Sequence, residues 1–115
     1  MNTRLGRISR AVFARIPKEG MRLRSSAHLQ ATVISTPAES SASFCAVVPG
    51  TISKSAVVRN TLRRRLRSLA RKRIARIGAH RAMVVYVKKG CEKLSFNDLG
   101  KEFDILFATL PVLDV

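Results

Sequence analysis

The sequence predicts an α/β (α+β) fold, a two-layer sandwich in which a small mixed sheet of about four strands packs against three helices. Short apolar runs of strand length alternate with stretches in which apolar residues recur every three or four positions. The predicted elements follow in the order α-β-β-β-α-β-α. The chain of 115 residues has the common size of one domain, and we assign residues 1–115 to a single domain.

The first helix and the first strand lie in the opening third of the chain. Ile8, Val12 and Ile16 have the spacing of a short amphipathic helix, and Pro17 is expected to end it because proline disfavours a helical residue before it. Residues Leu29 to Ser35 alternate in polarity and become β-branched toward their end, which is typical of a strand.

A polar loop and a second strand follow. Thr36 to Ser43 contains Pro37 and is rich in small polar residues, so we predict a hairpin loop there. Phe44 to Val48 is an apolar run of strand length. Pro49 and Gly50 interrupt this run, and Thr51-Ile52 is a candidate to resume it.

The central helix is predicted to begin near Ser53 or Ser55, whose hydroxyls can cap its first turn, and to end near Gly78. Its apolar residues have three- and four-residue spacing and form one face: Val58, Leu62, Leu66, Leu69 and Ala70. An adjoining arc, which we call the arginine face, consists of Arg59, Asn60, Arg63, Arg64, Arg67 and Arg71.

The last two elements are a buried strand and an amphipathic helix. Ala82 to Val87 is continuously apolar, as expected of a strand covered on both faces. Ser95, with Asp98 three residues later, resembles a capping box, and Pro111 is expected to stop the helix. The predicted apolar stripe contains Phe96, Leu99, Phe103, Leu106, Phe107 and Leu110. The acids near this helix are expected to lie on a solvated face.

The charge of the chain indicates a polyanionic partner. The net charge is +15, the sequence pI is near 11.6, and no acid occurs between Glu39 and Glu92. A uniformly basic protein repels itself, and a polyanion offsets that cost most simply. Neutralising about six phosphates of such a partner would give binding a log–log salt slope of roughly −4 to −5.

Several other functional classes are disfavoured by the sequence. Cys45 and Cys91 lack the spacing of a zinc site or a disulfide framework, so a reduced cytoplasmic location is the default. His28 and His80 stand far in sequence from catalytic partners, and no catalytic or metal-binding set is evident. The Arg-rich, acid-free N-terminus superficially fits a transit peptide, but its apolar residues are needed in the predicted first helix.

Residues 56–67, with the sequence AVVRNTLRRRLR, resemble the signature helix of the bacterial ribonuclease P protein, whose pattern is AV-x-RN-R-x-[KR]-R-x-x-R. The resemblance extends along nearly the whole chain: Phe13 followed by Gly20 resembles the first helix and turn of the family, and VVYVKKG resembles its last strand. Two departures remove cations. Thr61 stands where the family usually has Arg, and Pro49-Gly50-Thr51 replaces a Ser-Lys-Lys segment.

The resemblance implies the protein subunit of a ribonucleoprotein endoribonuclease that removes the 5′ leader of precursor tRNA. Its implied partners are the catalytic RNA subunit and precursor tRNA, with neither a membrane nor a small-molecule substrate. Catalysis would belong to the RNA and to Mg²⁺ bound mainly by it, with no protein catalytic residues. The family fold also implies a left-handed crossover through the central helix, against the general right-handed rule.

The resemblance also implies the site residues. RNA would be bound by Arg59, Asn60, Arg63, Arg64 and Arg67, with Lys54 assisting. Arg71, which follows the signature on the arginine face, completes the predicted RNA-binding set. Phe13, Leu29 and Ala31 would line a cleft for the single-stranded leader.

Two alternatives remain open. A structural RNA-binding protein of ribosomal type has similar composition, and it would not restore cleavage to a ribonuclease P RNA. A membrane-active or generic DNA-binding cationic protein would bind anionic vesicles or duplex DNA as strongly as structured RNA, although the predicted strands favour a folded domain.

Overall fold

The computed structural model describes residues 5–36 and 42–109. The elements are α1 (Arg10–Glu19), β1 (Met21–Arg22), β2 (Leu29–Ser35), β3 (Ser43–Val47), α2 (Ala56–Lys72), α3 (Ile74–Ile77), β4 (Arg81–Val87) and α4 (Phe96–Leu106). Single 3-10 turns precede and follow α4 at Cys91–Lys93 and Phe107–Thr109. The predicted α/β fold and order of elements are confirmed with two differences. The third strand before the central helix is β1 at Met21–Arg22, not a resumed strand at Thr51-Ile52, and the short helix α3 follows α2.

The four strands form one mixed sheet in the order β1-β2-β4-β3. β2 pairs with β4 antiparallel, and β3 pairs with β4 in parallel. The predicted hairpin between β2 and β3 is therefore wrong, because β4 lies between them; residues 37–41 of that loop lie outside the described residues. β3 and β4 are joined through α2, and the left-handedness of this crossover stays a prediction.

One face of the sheet carries the main core. Alternate residues of β2 and β4 pack against the apolar faces of α2 and α4, with members that include Leu29, Ala31, Val33, Met83, Val85, Leu62, Leu66, Leu99 and Phe103. The Phe103 ring lies 6.1 Å from the Phe44 ring and 5.5 Å from the Phe107 ring, centroid to centroid. The predicted stripe of the last helix thus packs as expected, except that Phe96 is exposed and Leu110 lies outside the described residues.

The opposite face of the sheet is only partly covered. Ile34, Ala82 and Val84 point to this side and pack against Ile16 of α1. Pro17 does not end α1 as predicted, because the Gly20 N–H donates to the Ile16 carbonyl and one more turn forms beyond the proline. Since α1 is only ten residues long, part of this face remains open as a groove.

The helix ends follow the predicted caps in three places. The Ser55 hydroxyl accepts a hydrogen bond from the Val58 N–H, and the Ser95 hydroxyl accepts one from the Asp98 N–H. Gly78, with a φ of 91°, ends α3. The predicted single central helix is interrupted at Arg73, which separates α2 from α3. Thr51-Ile52 does not resume β3; Ile52 lies in a turn, and its N–H donates to the Pro49 carbonyl.

Candidate nucleic-acid interface

The apolar side of α2 fixes the direction of the arginine face. Leu62 and Leu66 are buried in the main core, so residues on the opposite side must point to solvent. Arg63, Arg64 and Arg71 are exposed there. α2 itself contains no acid, and these three guanidinium groups are accessible to a polyanion.

Two members of the arginine face are half-buried and contact the main chain. The Arg59 Nη1 donates to the Ser53 carbonyl at 2.7 Å. The Arg67 Nη2 donates to the Leu5 carbonyl at 2.6 Å, and its Nη1 lies 3.5 Å from the Phe44 carbonyl oxygen. These two arginines therefore stabilise the surroundings of α2 as well as adding positive charge.

Asn60 is paired with its neighbour on the helix. The Arg63 Nη1 donates to the Asn60 Oδ1 at 2.7 Å, which leaves the amide nitrogen as the donor available to a ligand. Val57, Asn60, Arg63 and Arg64 line an open depression of about 540 Å³. Lys54 is exposed just before the helix begins.

The last cations of the central run do not belong to this face. Arg73 forms an ion pair with Asp104 of α4 and lies over the Phe103 ring. The Arg76 guanidinium lies 4.8 Å from the Phe107 ring centroid, and its Nη2 donates to the Phe107 carbonyl at 3.3 Å. Arg73 and Arg76 therefore connect the central helices to α4 and the turn that follows it. The basic run thus divides into exposed arginines on α2 and arginines that pack against the C-terminal part of the fold.

The open face of the sheet carries a groove of about 480 Å³, which we call the sheet groove. Its lining combines the end of α1 with outward-facing residues of the strands: Ile16, Pro17, Gly20, Arg22, Gln30, Thr32 and Tyr86. Gly20 is required here, because a Cβ at this position would come within 2.6 Å of both the Ile16 carbonyl oxygen and the Thr32 Cγ2. The close approach of α1 to β2 therefore depends on a residue without a side chain.

The prediction that Leu29 and Ala31 line the leader cleft is wrong. Leu29 and Ala31 are fully buried in the main core, on the face of β2 that points away from the sheet groove. Because side chains alternate along a strand, their neighbours Gln30 and Thr32 line the groove instead. The polarity of these two residues within an otherwise apolar strand is the sequence signal that indicates which face of β2 lines the groove. Phe13 is 37% exposed and lies one turn before Pro17 on α1, so it remains a candidate for the wall of the groove.

The acids near α4 do not all lie on a solvated face. The Glu102 carboxylate accepts hydrogen bonds from the Ser26 hydroxyl and the His28 N–H, both at 2.7 Å, and its Oε2 lies 2.6 Å from the His28 Nδ1. Burial raises the pKa of Glu102, but the hydrogen bonds from His28 and Ser26 outweigh it, and the pKa is held below its usual value. Within the described residues, no three His, Cys, Asp or Glu side chains come together as metal ligands.

Comparison with known proteins decides which family this arrangement belongs to. The model of the ribonuclease P family matches residues 3–111, which is nearly the whole chain. The chain belongs to the ribonuclease P family. Membership implies a subunit of a tRNA-processing ribonucleoprotein endonuclease. No curated protein matches the chain in sequence.

Solved ribonuclease P proteins share the fold. The Staphylococcus aureus RNase P protein superposes with a TM-score of 0.80 at 16% identity, covering 96% of this chain and 100% of that one. The RNase P protein from Thermotoga maritima gives a TM-score of 0.74 at 21% identity, covering 88% of this chain and 94% of that one. At these identities the superpositions show a shared fold, and the roles of individual side chains do not follow from them.

The two departures from the ribonuclease P signature can be placed in the structure. Thr61 lies inside α2, where its hydroxyl donates to the Val57 carbonyl at 2.8 Å and lies 3.5 Å from the Arg64 Nη2. Pro49 and Gly50 are exposed and belong to the turn before α2. The two departures therefore lie within α2 and in the turn that precedes it.

Among the described residues, none of the helices is long and apolar enough to cross a bilayer.

Proposed function

We propose that this protein is the protein subunit of ribonuclease P and binds the catalytic RNA through the arginine face of α2. The observation that carries the proposal is the acid-free, solvent-exposed set of Arg63, Arg64 and Arg71 on the helix that bears the family signature. Guanidinium groups contact phosphates in bidentate geometry, which suits them to a folded RNA backbone. Lys54 and Asn60 extend this surface toward the N-terminal end of the helix.

The sheet groove is proposed to bind the single-stranded 5′ leader of precursor tRNA. Tyr86 offers an aromatic surface on which an unpaired base can stack, and Gln30 and Thr32 offer polar groups beside it. Arg22 supplies a cation for the backbone phosphates. A groove lined by one aromatic ring, short polar side chains and one cation fits an unpaired strand better than a duplex.

The protein's proposed part in the reaction is to bind and position the two RNAs. The described residues do not offer a magnesium site, since Glu102 and Asp104 are occupied by His28 and Arg73 and no ligand cluster is formed. We assign the Mg²⁺ ions, which activate water for attack on the phosphodiester, mainly to the RNA subunit, because the family resemblance implies this assignment. Charge neutralisation by the arginine face would lower the magnesium concentration that the RNA needs.

Reconstitution at low magnesium tests the proposal. The full chain is added to a transcribed ribonuclease P RNA and a precursor tRNA at a magnesium concentration where the RNA alone is inactive. We expect 5′-leader cleavage to be restored, and we expect the variant Arg63→Glu/Arg64→Glu to lose this effect. Arg65→Glu is the matched control, because Arg65 is exposed on the other flank of α2. RNA binding without restored cleavage would favour a structural, ribosomal-type protein instead.

A further inference from the structure

The N-terminal segment, residues 5–9, is bound to the edge of the sheet beside α2. Gly6 pairs with Ser43 as a parallel bridge on β3. The Gly6 N–H donates to the Ala42 carbonyl at 2.8 Å, and the Phe44 N–H donates to the Gly6 carbonyl at 3.1 Å. Leu5 is 5% exposed and belongs to the main core. The segment therefore adds a short stretch of extended chain to the outer edge of β3.

Arg67 connects this segment to α2. Its Nη2 donates to the Leu5 carbonyl at 2.6 Å, while its Nη1 lies 3.5 Å from the Phe44 carbonyl oxygen on the neighbouring strand. The Arg67 guanidinium on α2 thus contacts both paired segments, the N-terminal segment and β3, next to the Gly6–Ser43 bridge. A lysine cannot reproduce this arrangement, because its ammonium is a single point and lacks the planar fork of two terminal nitrogens.

The edge of β3 lies within electrostatic reach of the arginine face. Burial raises the pKa of the Cys45 thiol, and the nearby charges of Arg63 and Arg67 oppose that rise. Arg7 directly follows Gly6 and is exposed, so docking of the segment brings another cation to this edge. Bringing like charges together is unfavourable unless the segment is held in place or a polyanion binds them.

We propose that Arg67 is a positioning residue, which anchors the N-terminal segment to α2 so that Arg7 joins the arginine face as an additional RNA phosphate contact. This inference rests on the proposed function, because it concerns the same RNA-binding surface. The family signature implies that Arg67 contacts RNA directly. The proposal assigns it a positioning role instead, because both of its terminal nitrogens point to carbonyl oxygens of the protein. It also adds to the surface a cation that lies about fifty residues before α2 in sequence.

A double-mutant cycle on the full chain tests the coupling. Affinity for a transcribed ribonuclease P RNA is measured as a function of salt for the wild type, Arg7→Gln, Arg67→Gln and the double variant. We expect Arg7→Gln to reduce the salt slope by about one unit in the wild type. In the Arg67→Gln background, where the segment is released, the same change should alter affinity by less than about twofold.

Arg71→Gln supplies the matched control cycle. Arg71 lies on the arginine face, and within the described residues it forms no hydrogen bond or ion pair with the N-terminal segment. The fold-changes in RNA affinity caused by Arg71→Gln and Arg7→Gln should therefore multiply to within about twofold in the double variant. If the effects of Arg7→Gln and Arg67→Gln also multiply, Arg67 is an independent phosphate contact and the proposal is overturned.

Amide hydrogen exchange in the free protein separates this inference from the proposed function. Exchange at the Gly6 and Phe44 amides should accelerate about tenfold or more in Arg67→Gln and in Arg67→Lys, but not in Arg71→Gln. Wild-type protection in Arg67→Lys would show that a point charge is sufficient and would overturn the anchoring role. Failure of the wild type to restore cleavage would reject the proposed function, while the exchange result would still stand.

Discussion

The Arg73 Nε and the Asp104 Oδ1 meet at 2.6 Å across the boundary between α2 and α4. The Arg73 Nη1 also donates to the Leu69 carbonyl at 2.9 Å, and the guanidinium lies over the Phe103 ring. The Arg73 side chain is only 18% exposed, so it is shielded from bulk solvent and from any RNA on the arginine face. A cation of the central run therefore stabilises the packing of the last helix.

Asp104→Asn should lower the free energy of unfolding by about 0.5–1 kcal/mol, a modest amount because the Asp104 side chain is about half exposed. The hydrogen bond from Arg73 is the main cause that lowers the pKa of Asp104. A carboxylate with a lowered pKa in the folded state stabilises the fold above its unfolded pKa of about 4 and loses that contribution as the pH falls through its folded pKa. Urea denaturation at pH 7 and pH 3 should show a larger difference between variant and wild type at pH 7 than at pH 3, whereas Lys101→Gln on the same helix should change little at either pH.

Glu102→Gln should destabilise the fold more, by about 1–3 kcal/mol, because the carboxylate is 14% exposed and accepts bonds from both Ser26 and His28. The loop between β1 and β2 would then lose its attachment to α4. Hydrogen exchange at the His28 amide, which now donates to Glu102, should accelerate with the loss of stability. Unchanged exchange and unchanged urea midpoints would contradict this role.

Leu66→Ala should cost about 2–5 kcal/mol, since Leu66 is fully buried between α2 and the sheet and its removal leaves a cavity. Arg65→Ala, one position earlier on the exposed side, should change stability by less than about 0.5 kcal/mol. Thermal or urea denaturation of the two variants compares the two sides of the same helix. Similar losses from both would contradict the observed orientation of α2.

Tyr86→Leu should weaken binding to precursor tRNA but not to mature tRNA. Leucine keeps the apolar contact of Tyr86 with the cluster of Ile16, Ile34, Ala82 and Val84 but removes the ring on which a base could stack, a change of about 1–3 kcal/mol per base. Titration of both tRNAs against the reconstituted particle measures the difference. An equal loss for both tRNAs would show that the sheet groove does not bind the leader.

Much of the fold could be predicted because the periodicity of apolar residues is local. The two long strands, α2 and α4 were recognised from their spacing, and Ser55 and Ser95 cap their helices as expected. The pairing of β3 with β4 could not be predicted in this way, since composition around Pro37 describes a loop but not the partner of the strand that follows it.

The candidate site was predicted less completely, for two physical reasons. Both faces of β2 are largely buried, so the polar residues Gln30 and Thr32 are the sequence signal that separates the groove face of the strand from the core face of Leu29 and Ala31. Spacing on a helix also gives the direction of a side chain but not its partners. The bond from Arg67 to Leu5 joins residues 62 positions apart, and only the folded chain reveals it.

The salt dependence of RNA affinity tests most directly whether the arginine face binds the catalytic RNA. The wild type is compared with the triple variant Arg63→Gln/Arg64→Gln/Arg71→Gln and with Arg65→Gln, all with the same transcribed RNA. We predict a log–log slope of roughly −4 to −5 for the wild type and for Arg65→Gln, and a slope smaller in magnitude by about 2–3 for the triple variant. Equal slopes for the wild type and the triple variant would contradict the account.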